Sequence, residues 1–449
     1  MPKIYLRSKT IILAVCFAIA SFIHDSSAED RTDQMPNVVI LFIDDLGYGD
    51  LGCFGNENAA TPNIDKLARE GARLTMSYVT NPPCSPSRSS LLTGMYAQRF
   101  HKFGMARGLP IPSDHPTLAE FMRDAGYVTG QIGKWDLGSE GQGPHERGFM
   151  EVAKWAPGGQ SYFCEKPDGT TVYRTELDGD YMVEFVERNK DKPFFLYFSP
   201  LAIHSPLKST PDEYQSRIED GNKWYDGAVA AVDDQVGKLL AALKANGLDK
   251  NTLILLTGDN GAGAGGSSAP YRGGKGKGTQ FEGWVHTPSI AWWPGTIPAG
   301  QVFEGLTCTL DFYATAAAIS GHQLPERCDG KDILPYLTGG KTGDVHEFLY
   351  WYNADPNDVS HRHLSAVRWG KWRLRLDQDT REWKLFDLHA DPKEKNDLAA
   401  QNPEVVEKLA LKHQAFDSTL PSLDSIPAYS DHWETPPEGW GWVFTEASP

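Results

Sequence analysis

Two apolar runs of the sequence end in side chains that could hold a metal ion. The run NVVILFI is followed directly by Asp44 and Asp45, and the run NTLILLTG is followed by Asp259 and Asn260. Because ligands of parallel α/β sheets gather at the carboxyl ends of strands, we expect these four side chains to converge. Three carboxylates and one amide oxygen are donors that calcium or magnesium prefers. Either pair alone could be a cap or a turn, but the two pairs together favour a metal site.

A cysteine lies in a polar turn rather than in a core segment. The stretch NPPCSPSRSSLLTG places Cys84 among prolines and serines, four residues before Arg88. Free cysteine is usually buried in a core, so this placement favours a functional role. Ser85 and Pro86 predict the start of a helix, which would place residue 84 at the positive end of that helix, where an anion is held favourably.

The segments that must position these residues alternate between strand and helix. This alternation predicts an α/β fold with a large, mainly parallel sheet flanked by helices. The short aromatic-rich runs FLYWY, HLSAVRWG, KWRLRLD and EWKLFDL, followed by PEVVEKLALKHQAF, predict a smaller C-terminal antiparallel sheet with one helix. The main predicted strands are 37–43, 192–200 and 251–260, and the main predicted helices are 61–71, 117–126 and 227–247.

The N-terminal residues predict a signal peptide. Lys3, Arg7 and Lys9 precede the apolar run IILAVCFAIASFI, and the segment HDSSA that follows ends in the small residues that a signal peptidase needs. The apolar run is too short to span a bilayer comfortably, so we expect a periplasmic or secreted protein with no membrane insertion after cleavage. The expected parts are the signal peptide 1–28, a main domain 29–340 and a C-terminal subdomain 341–449 with an irregular tail.

The charge of the chain limits its partners. Lysine and arginine number 43 and aspartate and glutamate 59, which gives a formal net charge of -16. Such a balance argues against nucleic acid and against an anionic membrane surface as partners. An anionic substrate would therefore need a locally positive site.

The cysteine spacing leaves disulfide pairing open. Six cysteines are present, and Cys16 belongs to the predicted signal peptide. An exported chain could pair some of the others, and Cys308 and Cys328 are the nearest pair outside the motif of Cys84. No C-x-x-C spacing suggests zinc.

The motif around Cys84 resembles a known family. C-x-P-S-R followed by S-L-L-T-G is the signature of the sulfatases, and the chain resembles a type I sulfatase from Asp44 nearly to its end. The resemblance implies an alkaline phosphatase-like fold, a calcium ion, and conversion of Cys84 to formylglycine by a formylglycine-generating enzyme. Further segments that carry the resemblance, in chain order, are DDLGYGDLGCFGN, TPNIDKLAREG, GKW, AIHSP, TGDNG, KGTQFEG and LFDLHADPKEKNDLA.

The resemblance also implies roles for single residues. Arg88 would hold the formylglycine oxygen, Lys134 would contact the sulfate, and His204 would donate a proton to the departing alcohol oxygen. Calcium would be bound by the modified residue 84 together with Asp44, Asp45, Asp259 and Asn260.

A second sulfate-binding lysine is ambiguous in the sequence. The segment RGGKGKGTQFEG contains both Lys275 and Lys277. Counting forward from Arg272 favours Lys275, whereas counting back from Glu282 favours Lys277, since K-G-T-x-aromatic-E-G then matches the family without a gap. We prefer Lys277 and keep Lys275 as the alternative.

Two motifs depart from the family pattern. GKWDLG has Asp136 where the family usually has a histidine, and EGWVH has Trp284 and His286 where the family has glycine and arginine. A carboxylate can act as a base, but it cannot donate a hydrogen bond to an anionic sulfate. The departures imply either an altered pocket or impaired catalysis.

These observations predict an exported, calcium-dependent sulfatase that hydrolyses sulfate monoesters, with a sulfated carbohydrate as the expected substrate. Thirteen tryptophans and seventeen tyrosines fit an aromatic carbohydrate cleft as well as core packing. Two alternatives stay open. One is a phosphodiester or phosphonate hydrolase of the same superfamily, and the other is a degenerate, non-catalytic sulfoglycan-binding protein, which Asp136 motivates.

Overall fold

The computed structural model describes residues 35–106, 108–137, 141–153, 162–166, 168–205, 207–276, 278–353, 364–427 and 442–444. The predicted signal peptide and Lys277 lie outside these residues. The described helices are α1 (Pro62–Glu70), α2 (Cys84–Thr93), α3 (Leu118–Asp124), α4 (Arg174–Asn189), α5 (Asp212–Gln215), α6 (Lys223–Ala245), α7 (Leu310–Ile319), α8 (Leu334–Leu337) and α9 (Pro403–Asp417). The described strands are β1 (Asn37–Ile43), β2 (Ala72–Leu74), β3 (Ser77–Tyr78), β4 (Val128–Gly133), β5 (Glu151–Ala153), β6 (Phe163–Glu165), β7 (Thr171–Tyr173), β8 (Phe194–Ser199), β9 (Thr252–Gly258), β10 (Ser289–Trp292), β11 (Gln301–Phe303), β12 (Thr307–Cys308), β13 (Leu349–Asn353), β14 (Leu364–Trp369), β15 (Trp372–Leu376), β16 (Trp383–Asp387) and β17 (Trp442–Phe444).

A large, mainly parallel sheet forms the centre of the described chain. Its strand order is β11-β2-β10-β9-β1-β8-β4-β5-β17. Strands β9, β1, β8, β4 and β5 run parallel, whereas β10 and β17 are antiparallel to their neighbours. The predicted fold class is therefore confirmed.

Helices cover both faces of this sheet. Along β1 the side chains alternate, so that Val39, Leu41 and Ile43 pack in one core with α1, α4 and α6, while Val38 and Phe42 pack in another with α2, α3 and α7. Because both faces of β1 are buried, its sequence is apolar at every position rather than alternating.

The element boundaries follow the sequence closely. The strand 37–43 is as predicted, and the predicted strands 192–200 and 251–260 appear as β8 and β9. The long helix begins four residues earlier than predicted, at Lys223, because the Asn222 side chain accepts a hydrogen bond from the Tyr225 amide and so caps the helix.

The C-terminal part of the described chain forms the predicted antiparallel sheet and helix. Strands β13, β14, β15 and β16 pair in sequence order, and α9 packs against them. The predicted boundary near residue 340 stays a prediction. Trp284 and Trp351, which lie on its two sides in the sequence, share one hydrophobic core. The C-terminal tail differs from the expected irregular segment where β17 pairs antiparallel with β5.

Two further expectations concern the membrane and the cysteines. None of the helices described above is both long and apolar enough to cross a membrane. Cys308 and Cys328 are free thiols in this structure, so the disulfide that the sequence left open is not formed here.

Candidate active site

The two polar pairs that follow β1 and β9, Asp44–Asp45 and Asp259–Asn260, meet at one edge of the large sheet. Strands β1 and β9 are parallel neighbours with Ile43 opposite Gly258, so the residues that follow them lie side by side. The Asp45 amide donates to Asp259 Oδ1 at 3.0 Å, and Asn260 Nδ2 donates to Asp45 Oδ1 at 2.9 Å. All four side chains of these pairs are buried.

Cys84 lies at the first position of α2, directly beside these acids. Its Sγ is 3.4 Å from Asp44 Oδ1 and 3.7 Å from Asn260 Oδ1. The predicted helix start is therefore confirmed. Burial and the negative charge of Asp44 raise the pKa of the Cys84 thiol to about 12, so that an unmodified thiol is protonated at neutral pH.

Three cations neutralise the buried carboxylates. Arg88 Nη2 lies 2.6 Å from an oxygen of Asp259, and Lys134 Nζ lies 2.6 Å from an oxygen of Asp44. Lys275 Nζ lies 2.6 Å from Asp45 Oδ1 and 3.1 Å from the sulfur of residue 84. Three cations thus offset the three carboxylates of this buried cluster.

The ionisation of the acids reflects these neighbours. Burial opposes the charge of Asp44, but Lys134, His204 and Arg88 outweigh it and hold the pKa of Asp44 well below its ordinary value. Burial, together with the negative charge of Asp44, raises the pKa of Asp259 to about 7. Asp44 and Asp259 therefore differ in pKa, because a negative charge on one carboxylate disfavours ionisation of the other.

The cluster fits a hard divalent cation. One donor atom each from Asp44, Asp45, Cys84 and Asp259 lies within 4.8 Å of the others, and the amide oxygen of Asn260 faces the sulfur of Cys84. Three carboxylates and one amide oxygen around one point are the donor chemistry of calcium. The convergence expected from the strand ends is therefore present.

His204 approaches the same point from the segment after β8. A ring nitrogen of His204, a carboxylate oxygen of Asp44 and the sulfur of Cys84 lie within 4.8 Å of one another. Its Nδ1 lies 2.7 Å from the Ser205 carbonyl oxygen, and the hydroxyl of Tyr162 donates to the His204 carbonyl. With Nδ1 donating to the Ser205 carbonyl, Nε2 is the ring nitrogen that remains for proton transfer.

Asp136 lies beside Lys134 at the edge of the site. Its Oδ2 is 3.5 Å from Lys134 Nζ, and both side chains are buried. Its φ of 58° is left-handed, a conformation in which aspartate, asparagine and histidine are the most tolerated non-glycine residues. The structure thus brings Asp136 and Lys275 to the site. Lys277 lies outside the described residues, so our preference for it stays a prediction.

The second departure from the family pattern lies in a different network. His286 Nε2 is 2.8 Å from the Thr75 carbonyl oxygen, and its Nδ1 is 3.3 Å from Glu282. Glu282 also pairs with Arg373 at 2.8 Å. These contacts give His286 a structural role in the packing between the main sheet and the C-terminal sheet.

Sequence reasoning missed two residues that hold Arg88. Arg88 Nη1 contacts the hydroxyl of Ser199 and lies 3.3 Å from the hydroxyl of Tyr197. Both residues lie at the carboxyl end of β8, which pairs with β1. The available signal was a third apolar strand that ends in a polar residue beside the acidic pairs.

Comparisons with known proteins agree with this site. The family model Sulfatase matches residues 36–322, and the model N-sulphoglucosamine sulphohydrolase, C-terminal, matches residues 276–417. The chain therefore belongs to the sulfatase family, and it is a sulfuric ester hydrolase.

Similar proteins cover most of the chain. N-acetylgalactosamine-6-sulfatase of Canis lupus familiaris is 33% identical over 403 residues, which is 79% of this chain and 74% of that protein. Arylsulfatase A of Homo sapiens is 34% identical over 408 residues, which is 80% of this chain and 77% of that protein. The crystal structure of Ps i-CgsB in complex with k-i-k-neocarrahexaose has a TM-score of 0.81 and 29% identity, and the match covers 89% of this chain and 95% of that one.

Proposed function

We propose that this protein is an exported, calcium-dependent sulfatase that hydrolyses sulfate monoesters of a carbohydrate with a formylglycine made from Cys84. The observation that carries the proposal is the place of Cys84 at the start of α2, with carboxylates and cations both within contact distance. Its sulfur lies 3.4 Å from Asp44 and 3.1 Å from the ammonium of Lys275. Such a site holds a metal ion and an anionic ester at one residue.

The carboxylates of this site would hold calcium, and residue 84 would carry the formylglycine. Residue 84 together with Asp44, Asp45, Asp259 and Asn260 would hold the ion. When bound, calcium supplies positive charge to the transferring group, and formylglycine supplies the nucleophilic oxygen. Arg88 forms an ion pair with Asp259 at 2.6 Å and so orients the Asp259 carboxylate within the site.

Two lysines suit the negative charge of the sulfate. Lys275 Nζ contacts residue 84 directly, and Lys134 Nζ pairs with Asp44, which itself contacts residue 84. Preorganised cations in a buried site stabilise charge that moves onto the transferring group. The contacts of Lys275 support it as the second sulfate-binding lysine.

His204 is suited to protonate the leaving alcohol. Its ring lies within reach of residue 84, and its Nδ1 is held by the Ser205 carbonyl. With Nδ1 held by this bond, Nε2 is the nitrogen that would donate the proton as a general acid. His204 is partly exposed, so solvent reaches this residue.

A carbohydrate is the substrate class that the relatives favour. N-acetylgalactosamine-6-sulfatase is named for a sugar sulfate, and Ps i-CgsB is solved with a neocarrahexaose. Arylsulfatase A is named for aryl sulfates, so aryl esters belong in the test. Export rests on the basic and apolar pattern of residues 1–28, and an N-terminus that begins after Ala28 in the exported protein would support it.

The experiment is a substrate screen with full-length protein made together with a formylglycine-generating enzyme. Sulfated mono- and oligosaccharides, an aryl sulfate and a phosphodiester are compared, with free sulfate and product masses both measured. We expect turnover of at least one sulfated saccharide, its loss in Cys84→Ala, and its retention in Cys164→Ala, a buried cysteine of β6. No release of sulfate from any ester, or faster turnover of the phosphodiester than of every sulfate ester, would contradict the proposal.

A further inference from the structure

A second cluster of metal-ligating side chains lies where β12 meets α7. Cys308 is the last residue of β12, Asp311 lies in the first turn of α7, and His346 lies shortly before β13. A sulfur, a carboxylate oxygen and a ring nitrogen from these three residues lie within 4.8 Å of one another. All three residues are buried. The hydrolysis of a sulfate ester does not use any of them.

Both neighbours of the imidazole face the same ring nitrogen. His346 Nε2 is 3.7 Å from Cys308 Sγ and 2.6 Å from Asp311 Oδ1. In a catalytic relay the nucleophile and the carboxylate contact opposite nitrogens of the histidine, so this cluster is not a relay. One nitrogen carries a single proton or lone pair and cannot bond well to both neighbours. The three donors can instead share one ion between them.

One of the two ligand separations already suits a tetrahedral transition metal. With zinc bond lengths to sulfur and nitrogen, the two ligand atoms lie about 3.6 Å apart in a tetrahedral site, and the observed separation of Sγ and Nε2 is 3.7 Å. The corresponding nitrogen–oxygen separation is about 3.3 Å, so the carboxylate must move by about 0.7 Å from its present 2.6 Å contact.

The backbone already orients the carboxylate. The Cys308 amide donates to Asp311 Oδ2 at 2.9 Å, and the Lys331 amide donates to Oδ1 at 2.8 Å. Hydrogen bonds of this kind hold metal ligands in place in known sites. The His346 amide is fixed in turn by the Leu306 carbonyl at 3.1 Å.

The charge and the donor atoms of these three side chains favour zinc over calcium. A thiolate, a carboxylate and a neutral imidazole together carry two negative charges, which a divalent ion balances in a buried site. Sulfur and nitrogen donors suit zinc and disfavour calcium, which takes oxygen ligands. The His346 side chain is 10% exposed, and a water molecule would complete the four ligands of a tetrahedral site. On binding, the Cys308 thiol loses its proton to solvent.

We propose that Cys308, Asp311 and His346 form a zinc site that is separate from the calcium site. Cys308 shares a hydrophobic core with Leu349 and Trp351 of β13, so the ion would join the main sheet region to the C-terminal sheet. Its effect is therefore on stability rather than on the chemistry at residue 84.

The test uses Co²⁺ and Zn²⁺ on the Cys84→Ser protein in excess calcium, so that neither the thiol of residue 84 nor an empty calcium site competes. We expect one equivalent of Co²⁺, a thiolate-to-cobalt charge-transfer band, displacement of that band by Zn²⁺, and a higher Tm with Zn²⁺. Adding Cys308→Ser should remove the band and weaken zinc binding by more than about 100-fold, since loss of an outer-shell partner alone costs about 10- to 100-fold.

The matched control is Cys328→Ser in the same background, because Cys328 lies outside the cluster and should leave the band and the affinity unchanged. His346→Gln serves as a second ligand variant if Cys308→Ser does not fold, and it should also remove the band. The proposal is overturned if the Cys84→Ser protein shows no charge-transfer band, or if the band persists in Cys308→Ser or disappears in folded Cys328→Ser.

Discussion

Replacing Asp136 with asparagine should separate two roles for the carboxylate beside Lys134. If Asp136 acts as the base in place of the family histidine, kcat should fall by about 10²- to 10⁴-fold. If Asp136 only pairs with Lys134, kcat should stay near normal. The left-handed backbone of residue 136, at φ 58°, accepts both asparagine and histidine. Neither Asp136→Asn nor Asp136→His should therefore disturb the loop.

The expected change in KM follows from the ion pair. At the 3.5 Å separation of Asp136 Oδ2 and Lys134 Nζ, two unit charges attract by about 5 kcal/mol at an effective dielectric constant of about 20. A sulfate on the far side of Lys134, at about twice that distance, is repelled by Asp136 by about 2 kcal/mol. Removal of the carboxylate charge should therefore lower KM by about tenfold or more in both cases.

The assay is steady-state release of sulfate from the best substrate by the wild type, Asp136→Asn and Asp136→His, each checked for calcium content and Tm. A working base predicts a low kcat in Asp136→Asn and recovery in Asp136→His, which restores a residue able to accept a proton. Near-normal kcat in folded, calcium-loaded Asp136→Asn would refute the base role and leave Asp136 as a residue that tunes substrate binding.

Three further changes test the calcium site and the network around Glu282. Asp259→Ala should lose calcium and turnover together, as measured by metal analysis and sulfate release; retention of both would contradict the calcium site. Arg373→Met should lower the free energy of unfolding in urea by about 3–5 kcal/mol, because it leaves Glu282 buried beside fewer cations. The control is Arg217→Met, which removes the exposed ion pair of Arg217 with Asp234 and should lower that free energy by less than about 1 kcal/mol. Burial opposes the charge of Glu282, but Arg373 and its other partners outweigh it and hold its pKa at about 2 against an ordinary 4.5. Its stabilisation should therefore be complete above pH 4.5, be lost as the pH falls towards 2, and shrink in Arg373→Met; identical acid unfolding profiles would contradict this.

Much of the fold was predictable because its signals are local. A strand buried on both faces reads as an unbroken apolar run, so β1 was found to the residue and β9 nearly so. The acidic pairs could be brought together because parallel neighbours end at the same edge. Only the family resemblance, and not the residue pattern, leads to the proposal that Cys84 is modified.

Other features depend on contacts between distant segments, for which the sequence carries no period or spacing. Ser199 and Tyr197 reach Arg88 only because β8 pairs with β1. Counting along the glycine-rich segment did not single out Lys275, because its ammonium is placed by the fold of the loop against Asp45. Cys308 and His346 lie 38 residues apart, and the absence of a C-x-x-C spacing gave no reason to join them.

Residue 84, which we propose acts as formylglycine, can be examined by mass. The most direct test is the mass of the tryptic peptide 74–88, which contains no other cysteine, measured alongside the specific activity of the same preparations. We expect an aldehyde at residue 84 and sulfate release in proportion to the fraction converted. Full activity in a preparation whose residue 84 is entirely unmodified cysteine would contradict it.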